Sequence, residues 1–386
     1  MWVSGLRLTD FRSYASVDLS LTAGVTTFIG PNGQGKTNLV EALAYPSILG
    51  SHRVSADAPL VRSSTERAIV GVTVERVDRT VLLELEINPG KANRVRINRA
   101  AATRARDVLG LLTTVVFAPE DLSLVKGDPS DRRRFMDDLM IQRSPRMQGV
   151  KADYERALKQ RNALLKSAYG ARRANTDEIL RTIEVWDQRL VDEGAQILAA
   201  RSALLADLSQ PLKDAYAMIA GGSDAVSSTE LSVVYQTSMT DDREQMTDVA
   251  SCRTIMLAAI ERRRREELDR GLTLVGPHRD DLGIFLGELP AKGYASHGES
   301  WSIALAMKIA AFEVLSAQGE EPVLILDDVF AELDATRRRR LAERVRTCTQ
   351  VLITAAVEED IPKELTGAIV RVARGAVDRE VTTSAG

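Results

Sequence analysis

The sequence has 386 residues, of which 44% are hydrophobic and 27% are charged, a composition typical of a folded globular protein. Its net charge of −3 excludes the strongly basic character of many nucleic-acid-binding proteins, so any contact with DNA has to come from local basic patches. This length predicts two or three structural units.

Cysteine and histidine are scarce, which argues against a zinc site. The chain has two cysteines and three histidines, and none of them shows the spacing that zinc ligands require. Two distant cysteines suit a reducing compartment. The N-terminal segment lacks the apolar core of a signal peptide, and no run of about 18 apolar residues is present. We therefore expect a soluble, cytoplasmic protein that does not contact a membrane.

The first elements in the chain are β-strands that lead to a phosphate-binding loop. Residues 6–21 alternate loosely and predict a hairpin that turns near residues 10–14. An apolar strand at residues 25–29 precedes a complete GxxxxGK[ST] motif at residues 30–37, and a helix follows. Glycines let successive backbone N–H groups converge on a polyphosphate at the positive end of the helix dipole. In this context the motif predicts binding of a nucleoside triphosphate.

The residues of this loop have predicted roles at the bound nucleotide. Lys36 is expected to reach the β- and γ-phosphates as a catalytic residue, and the Thr37 hydroxyl is expected to ligate Mg²⁺. We therefore predict ATP and Mg²⁺ as cofactors. The other nucleotide-binding residues predicted here are Gly30, Pro31, Asn32, Gly33, Gln34, Gly35 and Asn38.

The next segment is predicted to be a β-meander. A period of two runs through residues 68–98, and turn residues interrupt it at 78–79 and 88–90. Such a pattern indicates an antiparallel sheet with one solvated face. Phosphate-loop cores use parallel strands, so residues 1–127 are predicted to form the N-terminal part of a mixed α/β head.

Residues 128–255 are predicted to form a mainly helical arm. Asp128 and Pro129 are typical of a helix N-terminus, and apolar residues then recur at spacings of three and four to about residue 208. Two narrow apolar seams flank a turn at residues 168–172, which predicts a short antiparallel hairpin resembling a coiled coil. Helices packed individually on the head are the alternative.

The predicted end of the arm carries helix-breaking residues. Pro211 and residues 221–223 are expected to end the arm helices. A helix rich in arginine, residues 256–270, is then expected to return the chain to the head. Residues 256–386 would form the C-terminal part of that head.

The C-terminal segment carries the second half of the predicted ATP site. Four apolar residues at 323–326 are followed by Asp327 and Asp328, which fits a buried parallel strand that delivers carboxylates at its C-terminal end. Asp327 is expected to hold Mg²⁺ through water. Asp328 is expected to be the catalytic base that orients the attacking water.

Ser296 and Gly298 form a Ser-x-Gly turn at the start of an amphipathic helix. Such a turn presents a hydroxyl, bare amides and a helix dipole to a γ-phosphate, and an acidic loop at residues 332–334 follows the carboxylate strand. This order of motifs is that of ABC-type ATPases, so the fold class predicted is an α/β ABC-type P-loop head with an inserted helical arm. In that class the turn of one head completes the ATP site of another, which predicts an ATP-dependent homodimer.

Further segments resemble the RecF family, within the SMC and Rad50 group of ATPases. They are residues 10–14, 117–122, 125–129, 132–135 and 276–282. The resemblance implies binding of single- and double-stranded DNA at gaps and junctions without sequence specificity, alongside RecO and RecR. It implies roles in recombinational repair, replication, RecA loading and the SOS response. It also implies that Arg12 contributes to nucleotide binding.

Three departures from the ABC pattern predict slow, DNA-stimulated hydrolysis that acts as a switch. His297 and Glu299 replace the Gly and Gln of transporter signatures, and the Glu299 carboxylate is expected to point away from the phosphate. Ala355 and Ala356 stand where a switch histidine would follow the next strand. Asp328 is one methylene shorter than the usual Glu. These features suit a timed clamp better than a motor.

Three arginine runs are the candidate DNA contacts: residues 132–134, 262–265 and 337–340. Each run spreads its side chains around a helix, so only some could face one phosphate track. The remaining arginine side chains are expected to be solvated or to pair with acids such as Glu266 and Glu267. Residues 132–134 are the first choice because the junction of head and arm would border a clamp's groove. Aromatics make up only 4% of the chain, which favours salt-sensitive contact with the DNA backbone over base stacking.

An ATPase subunit of a membrane transporter is the competing function. The helical arm, the missing switch histidine and the RecF-like segments disfavour it. A longer-range SMC-like structural protein is disfavoured by the short arm, and a metabolic P-loop kinase has no need of a Ser-x-Gly helix. DNA-dependent ATPase activity would separate the clamp from the transporter subunit and the kinase.

Overall fold

A computed structural model describes residues 1–170, 176–221, 230–240, 245–373 and 375–380. Residues 171–172 of the predicted arm turn and residues 222–223 of the predicted arm end lie outside this described part. No α-helix within it is long and apolar enough to cross a membrane.

The β-strands are β1 (Trp2–Phe11), β2 (Tyr14–Ser20), β3 (Gly24–Ile29), β4 (Ala68–Glu75), β5 (Thr80–Ile87), β6 (Arg94–Ile97), β7 (Ala100–Ala101), β8 (Thr114–Phe117), β9 (Leu231–Gln236), β10 (Asp281–Leu286), β11 (Leu289–Pro290), β12 (Val323–Asp327), β13 (Gln350–Ala355), β14 (Ala368–Ala373) and β15 (Ala376–Glu380). The α-helices are α1 (Lys36–Ile48), α2 (Ser123–Lys126), α3 (Pro129–Arg143), α4 (Met147–Gly170), α5 (Thr176–Ala220), α6 (Val249–Arg270), α7 (Ala291–Tyr294), α8 (His297–Ser316) and α9 (Ala335–Val345).

The chain divides into two compact units. The first comprises Met1–Lys126, Gln210–Glu230 and Tyr294–Gly386, and the second comprises Gly127–Ser209 and Leu231–Gly293. The predicted boundary after residue 127 lies beside the one observed. The chain enters the first unit again at Gln210–Glu230 and finally at Tyr294, and α6, predicted as part of the head, lies in the second unit because it packs against α4. The domain boundaries themselves stay a prediction.

A mainly parallel sheet in the first unit carries the strands that precede both ATP motifs. Its strand order is β15-β14-β3-β13-β12-β8, in which only the edge strand β15 is antiparallel. All residues of β12 and β13 are buried, as the apolar run of residues 323–326 predicted. Strand β13 separates β3 from β12. The phosphate loop and the Asp327 carboxylate therefore emerge at the same edge of the sheet.

The second sheet of this unit is antiparallel, with the order β2-β1-β4-β5-β6-β7. It confirms the predicted hairpin, since β1 pairs with β2, and the predicted meander, since β4, β5 and β6 pair in sequence. Its inward side chains share one hydrophobic core with α1 and the parallel sheet, including Leu83, Leu43 and Ile325. This core fixes α1, and hence the phosphate loop at its N-terminus, against both sheets.

The second unit is mainly helical and contains the small antiparallel sheet β11-β10-β9. Arg161 of α4 is completely buried, and its guanidinium donates to Asp187 of α5 and to Glu267 of α6, each at 2.6 Å. The predicted hairpin of two helices therefore omits α6, which is joined to both by this network. A buried charge triad of this kind specifies which helices pair, because leaving any member unpaired is costly.

Helix α5 is the long helix of the arm, and it passes through a residue predicted to end it. Pro211 lies inside α5, which continues to Ala220, so that prediction is wrong. A proline removes one backbone N–H and so leaves the carbonyl of residue 207 without its helical donor. Asp207 and its neighbours at residues 209–210 are exposed, so water can satisfy this group.

Candidate nucleotide-binding site

The loop between β3 and α1 has the backbone conformation that its glycines predict. Gly35 is the N-cap of α1 with φ 108°, and Gly33 has φ 80°. A Cβ atom at Gly35 would lie 2.7 Å from Tyr14 Oη and 2.9 Å from Ser13 Oγ. Tyr14 Oη donates to the Gly35 carbonyl at 3.1 Å, and burial raises the pKa of this phenol, so it stays a donor. Both φ and the close approach therefore require glycine at position 35.

Lys36 is buried, and its ammonium group is held by neutral oxygen atoms. Nζ donates to the Gly30 carbonyl at 2.7 Å, to Asn32 Oδ1 at 3.2 Å and to the Pro31 carbonyl at 3.4 Å. No carboxylate of the described residues forms a salt bridge with it. A cation inside the loop with only neutral acceptors fits a residue that receives phosphate oxygens.

The two predicted metal ligands meet at the edge of the parallel sheet. Thr37 Oγ1 donates to Asp327 Oδ1 at 3.0 Å, and Asp327 is 3% exposed. A hydroxyl and a carboxylate beside a phosphate loop are the donor set that Mg²⁺ uses together with phosphate oxygens and water. No cluster of three acidic, histidine or cysteine side chains within the described ranges offers an all-protein metal site. The residues present therefore fit Mg²⁺ that arrives with a nucleotide.

Asp328 follows directly and has an unusual backbone. Its φ is 51°, a conformation that costs energy in a residue with a side chain. Partial burial raises the pKa of its carboxyl, the Asp327 charge adds to the effect, and Lys36 opposes it. A carboxylate whose pKa is raised beside a phosphate loop has the properties of a general base.

Sequence reasoning missed Thr354, which connects these two acids. Its Oγ1 donates to Asp327 Oδ1 at 2.6 Å and accepts from the Asp328 N–H at 2.9 Å. Thr354 lies opposite Asp327 in the parallel register of β13 and β12. The available signal was a hydroxyl residue that directly follows the apolar run at residues 351–353.

His52 is a second residue that sequence reasoning missed. Both ring nitrogens are buried and have no hydrogen-bond partner in the described part of the chain, and Nε2 lies 4.0 Å from Asp327 Oδ2. This separation is too long for a direct hydrogen bond and suits a shared water molecule. A lone histidine in a loop gave no sequence signal.

Arg12 lies beside α1, where it pairs with a buried acid. Its Nε and Nη2 donate to the two carboxylate oxygens of Glu41 at 2.8 and 2.6 Å, and Glu41 is completely buried. Ser51 also donates to this carboxylate, and Arg53 lies 3.7 Å from it. The predicted contribution of Arg12 to nucleotide binding stays a prediction. Its observed contact is the compensation of the Glu41 charge.

The Ser-x-Gly turn forms the N-terminus of α8, on a different element from the residues above. Ser296 Oγ accepts from the Glu299 N–H at 3.2 Å, and the Glu299 carboxylate accepts from the Ser296 N–H at 2.8 Å. This reciprocal capping box lowers the pKa of Glu299. The Glu299 carboxylate is therefore engaged within its own turn.

Comparison with known proteins identifies the family. Residues 2–375 match the family described as the RecF/RecN/SMC N terminal domain. Over 381 residues the chain is 56% identical to the DNA replication and repair protein RecF of Streptomyces avermitilis, covering 98% of this chain and 100% of that protein. It is 55% identical over 382 residues to the RecF of Frankia alni, with the same coverage. The chain belongs to the RecF family.

Solved structures of the RecF family share the fold. The recombination mediator RecF with ATPrS, described in the RecFOR pathway, superposes with a TM-score of 0.87 at 26% identity, covering 98% of both chains. The RecF–ATP structure gives 0.85 at 25% identity. An Smc head domain from Pyrococcus furiosus gives 0.53 at 15% identity and shows the fold alone. The ABC-type ATPase head predicted from the order of motifs is confirmed.

The first-choice arginine run of this RecF-family chain is occupied within its own unit. Arg132 is 5% exposed, and its Nε and Nη2 each donate to the Asp281 carboxylate at 2.8 Å. Arg133 Nη1 donates to the Asp280 carbonyl at 2.8 Å. This corrects the prediction for Arg132, because a buried and neutralised guanidinium cannot reach a DNA phosphate.

The other two runs are also largely engaged. In the run at 262–265, Arg262 donates to the Met239 carbonyl and Arg264 pairs with Asp187. Arg263 pairs with Glu266, which confirms the expected pairing with that acid. Glu267 pairs with Arg161 instead. In the run at 337–340, Arg337 contacts Ser302 and Asp334, and Arg338 donates to the Leu333 carbonyl. Arg339 lies near Glu343, and Arg340 donates to the Ile219 carbonyl.

Proposed function

We propose that this chain is an ATP-dependent DNA-binding protein of recombinational repair and replication, which dimerises on ATP to clamp DNA at gaps and junctions. The observation that carries the proposal is the meeting of Lys36, Thr37 and Asp327 at one sheet edge in a chain of the RecF family. The relatives are named for DNA replication and repair, and their solved structures contain ATP or ATPrS.

The residues of the site divide the work on the nucleotide. Lys36 exchanges its neutral acceptors for phosphate oxygens, and the N–H groups of the loop bind the polyphosphate. Thr37 and Asp327 would hold Mg²⁺, which neutralises phosphate charge when bound. Asp328 orients the attacking water and accepts its proton. Ser296 and Gly298 of a second copy would complete the site.

The partners proposed are DNA, RecO and RecR. The pathway named for the similar structures is RecFOR, which supports RecO and RecR as partners in RecA loading and SOS induction. Binding of single- and double-stranded DNA would be independent of sequence and strongly dependent on salt, because the contacts are to phosphates. A cytoplasmic location agrees with these partners.

Hydrolysis is proposed to be slow and DNA-stimulated. The shorter side chain of Asp328 and the absence of a histidine at Ala355 and Ala356 support a switch rather than a motor. A turnover of about 1 s⁻¹ or more with DNA would count against this rate assignment while leaving the clamp intact.

Sedimentation tests the proposal. Wild type and Lys36→Ala are compared with and without ATP and gapped duplex DNA at low salt. Wild type alone is expected to form a DNA-bound dimer with ATP. If ATP binds but neither dimer nor DNA complex forms, a partner-dependent ATPase becomes the better account.

A further inference from the structure

Arg337, in the first turn of α9, joins the Ser-x-Gly helix to the acidic loop. Its Nε donates to Ser302 Oγ in α8 at 2.8 Å, and its Nη1 contacts Asp334 Oδ2. Asp334 is also the N-cap of α9 and accepts from the N–H groups of Thr336 and Arg337. One side chain therefore ties α8 to the segment that follows the carboxylate strand.

Gly298 leaves the space that this guanidinium occupies. A Cβ atom at residue 298 would lie 3.2 Å from Arg337 Nη2 and 3.3 Å from Nη1, closer than ordinary contact. Gly298 lies within α8 and does not have a positive φ, so its backbone does not require glycine. A side chain at position 298 would therefore push the guanidinium of Arg337 away by a few tenths of an ångström.

The ion pair of Arg337 is expected to contribute little to the stability of α9. A positive charge near the N-terminus of a helix opposes the helix dipole. The Asp334 side chain is 51% exposed, and ion pairs with so exposed a partner contribute little. Glu299, the other nearby acid, is engaged with the Ser296 N–H. The contacts of Arg337 with Ser302 and Asp334 therefore hold α8 against the N-terminus of α9.

We propose that Arg337 is a positioning residue for ATP-dependent dimerisation, which fixes the turn of Ser296 and Gly298 in the geometry that completes the nucleotide site of a second copy of the chain. This inference rests on the proposed function. It assigns Gly298 a contact within its own chain, in addition to any approach of its backbone to phosphate.

The first test compares Arg337→Ala with Arg339→Ala. Arg339 lies on the same helix, has a side chain that is 62% exposed and lies 4.0 Å from the exposed Glu343 carboxylate, so the control makes the same change in charge. Sedimentation with a non-hydrolysable ATP analogue gives the dimer dissociation constant, and titration of a fluorescent analogue at protein concentrations well below that constant gives the nucleotide affinity of the monomer. Arg337→Ala is expected to weaken the dimer by about tenfold or more without changing nucleotide affinity, and Arg339→Ala to change neither.

The second test is a double-mutant cycle with Gly298→Ala. In the wild-type background the added methyl group displaces the guanidinium and should weaken the dimer. In the Arg337→Ala background the space is free, so the same substitution should have no further effect. A methyl group that instead collides directly with the bound nucleotide would weaken the dimer in both backgrounds. Melting temperatures of all four proteins check that they fold. If Arg337→Ala does not fold, Gly298→Ala alone still tests the contact.

The outcomes separate this inference from the proposed function. If wild type dimerises with ATP but Arg337→Ala behaves like Arg339→Ala, only the role of Arg337 is overturned. The same holds if the effects of Arg337→Ala and Gly298→Ala on the dimer are additive. If wild type itself does not dimerise with ATP, the proposed function and the role of Arg337 are overturned together.

Discussion

Thr354 and Asp327 lie opposite one another on adjacent parallel strands, and the threonine hydroxyl donates to the carboxylate at 2.6 Å. The same hydroxyl accepts from the Asp328 N–H. The orientation of both acids at the candidate ATP site therefore depends on the register between β12 and β13. The hydroxyl of Thr354 makes both contacts only in this register.

Thr354→Val should lower the apparent affinity for Mg²⁺ in ATP binding and hydrolysis by about tenfold to a hundredfold, because residues that orient metal ligands have effects of this size. Thr26→Val is the matched control, since Thr26 lies in the adjacent strand β3 and its buried Oγ1 has no hydrogen-bond partner in the described part. That control should be neutral or stabilising. Equal Mg²⁺ dependence in both variants would contradict the role of Thr354.

Arg12→Ala should destabilise the first unit by about 3 kcal/mol, because it leaves the Glu41 carboxylate buried without its bidentate partner. Urea unfolding at neutral pH measures the loss. Adding Glu41→Gln should recover part of it by removing the buried charge. In that double variant the nucleotide affinity then tests Arg12 separately: a normal affinity would exclude a role of Arg12 at the nucleotide.

Arg132→Gln should lower the stability of the second unit without changing how DNA binding depends on salt. The guanidinium is buried against Asp281, so its loss leaves an acid without its partner but removes no phosphate contact. Unfolding curves and the slope of log K against log salt measure the two effects. A slope reduced by about one would restore Arg132 as a DNA contact.

Asp280 should make the second unit less stable as the pH rises. It is 2% exposed, and burial raises its pKa to about 6, although its hydrogen bond from Tyr235 and the charge of Arg201 oppose the shift. A carboxyl whose pKa is higher in the folded state stabilises the fold below its unfolded pKa, near 4, and loses this contribution as the pH rises through 6.

Asp280→Asn should therefore gain stability relative to wild type, by up to about 3 kcal/mol at pH 7.5, with the gain vanishing near pH 4. Urea unfolding of both proteins at several pH values isolates this carboxyl from other titrating groups, such as His278, whose pKa burial lowers to about 4. A difference independent of pH would show that Asp280 titrates normally.

Local patterns predicted the parts of the fold that depend on neighbours in sequence. The phosphate loop, the strand that ends at Asp327 and the antiparallel meander each have a period or spacing of their own. Pro211 misled because a proline removes one helical hydrogen bond but does not forbid a helix, here at a position with exposed neighbouring residues. Thr354 and His52 were missed because their importance comes from Asp327, which is far from both in the sequence.

Partners far apart in the chain were the least predictable. The pairing of Arg161 with Glu267 assigns α6 to the second unit, and the pairing of Arg132 with Asp281 removes a candidate DNA contact. Each run of arginine looked alike in sequence, since charge patterns do not reveal which acid lies opposite. Burial, which decides the availability of a charge, is a property of the assembled fold.

The ammonium group of Lys36 has hydrogen-bond partners inside the loop itself. A ligand must therefore outcompete these oxygen atoms, and its net gain is the difference between two sets of partners. Only a ligand whose second or third phosphate reaches Nζ can make this exchange, so the loop measures the length of a phosphate chain. Competition binding should rank ATP and ADP well above AMP, and Lys36→Met should compress that ranking.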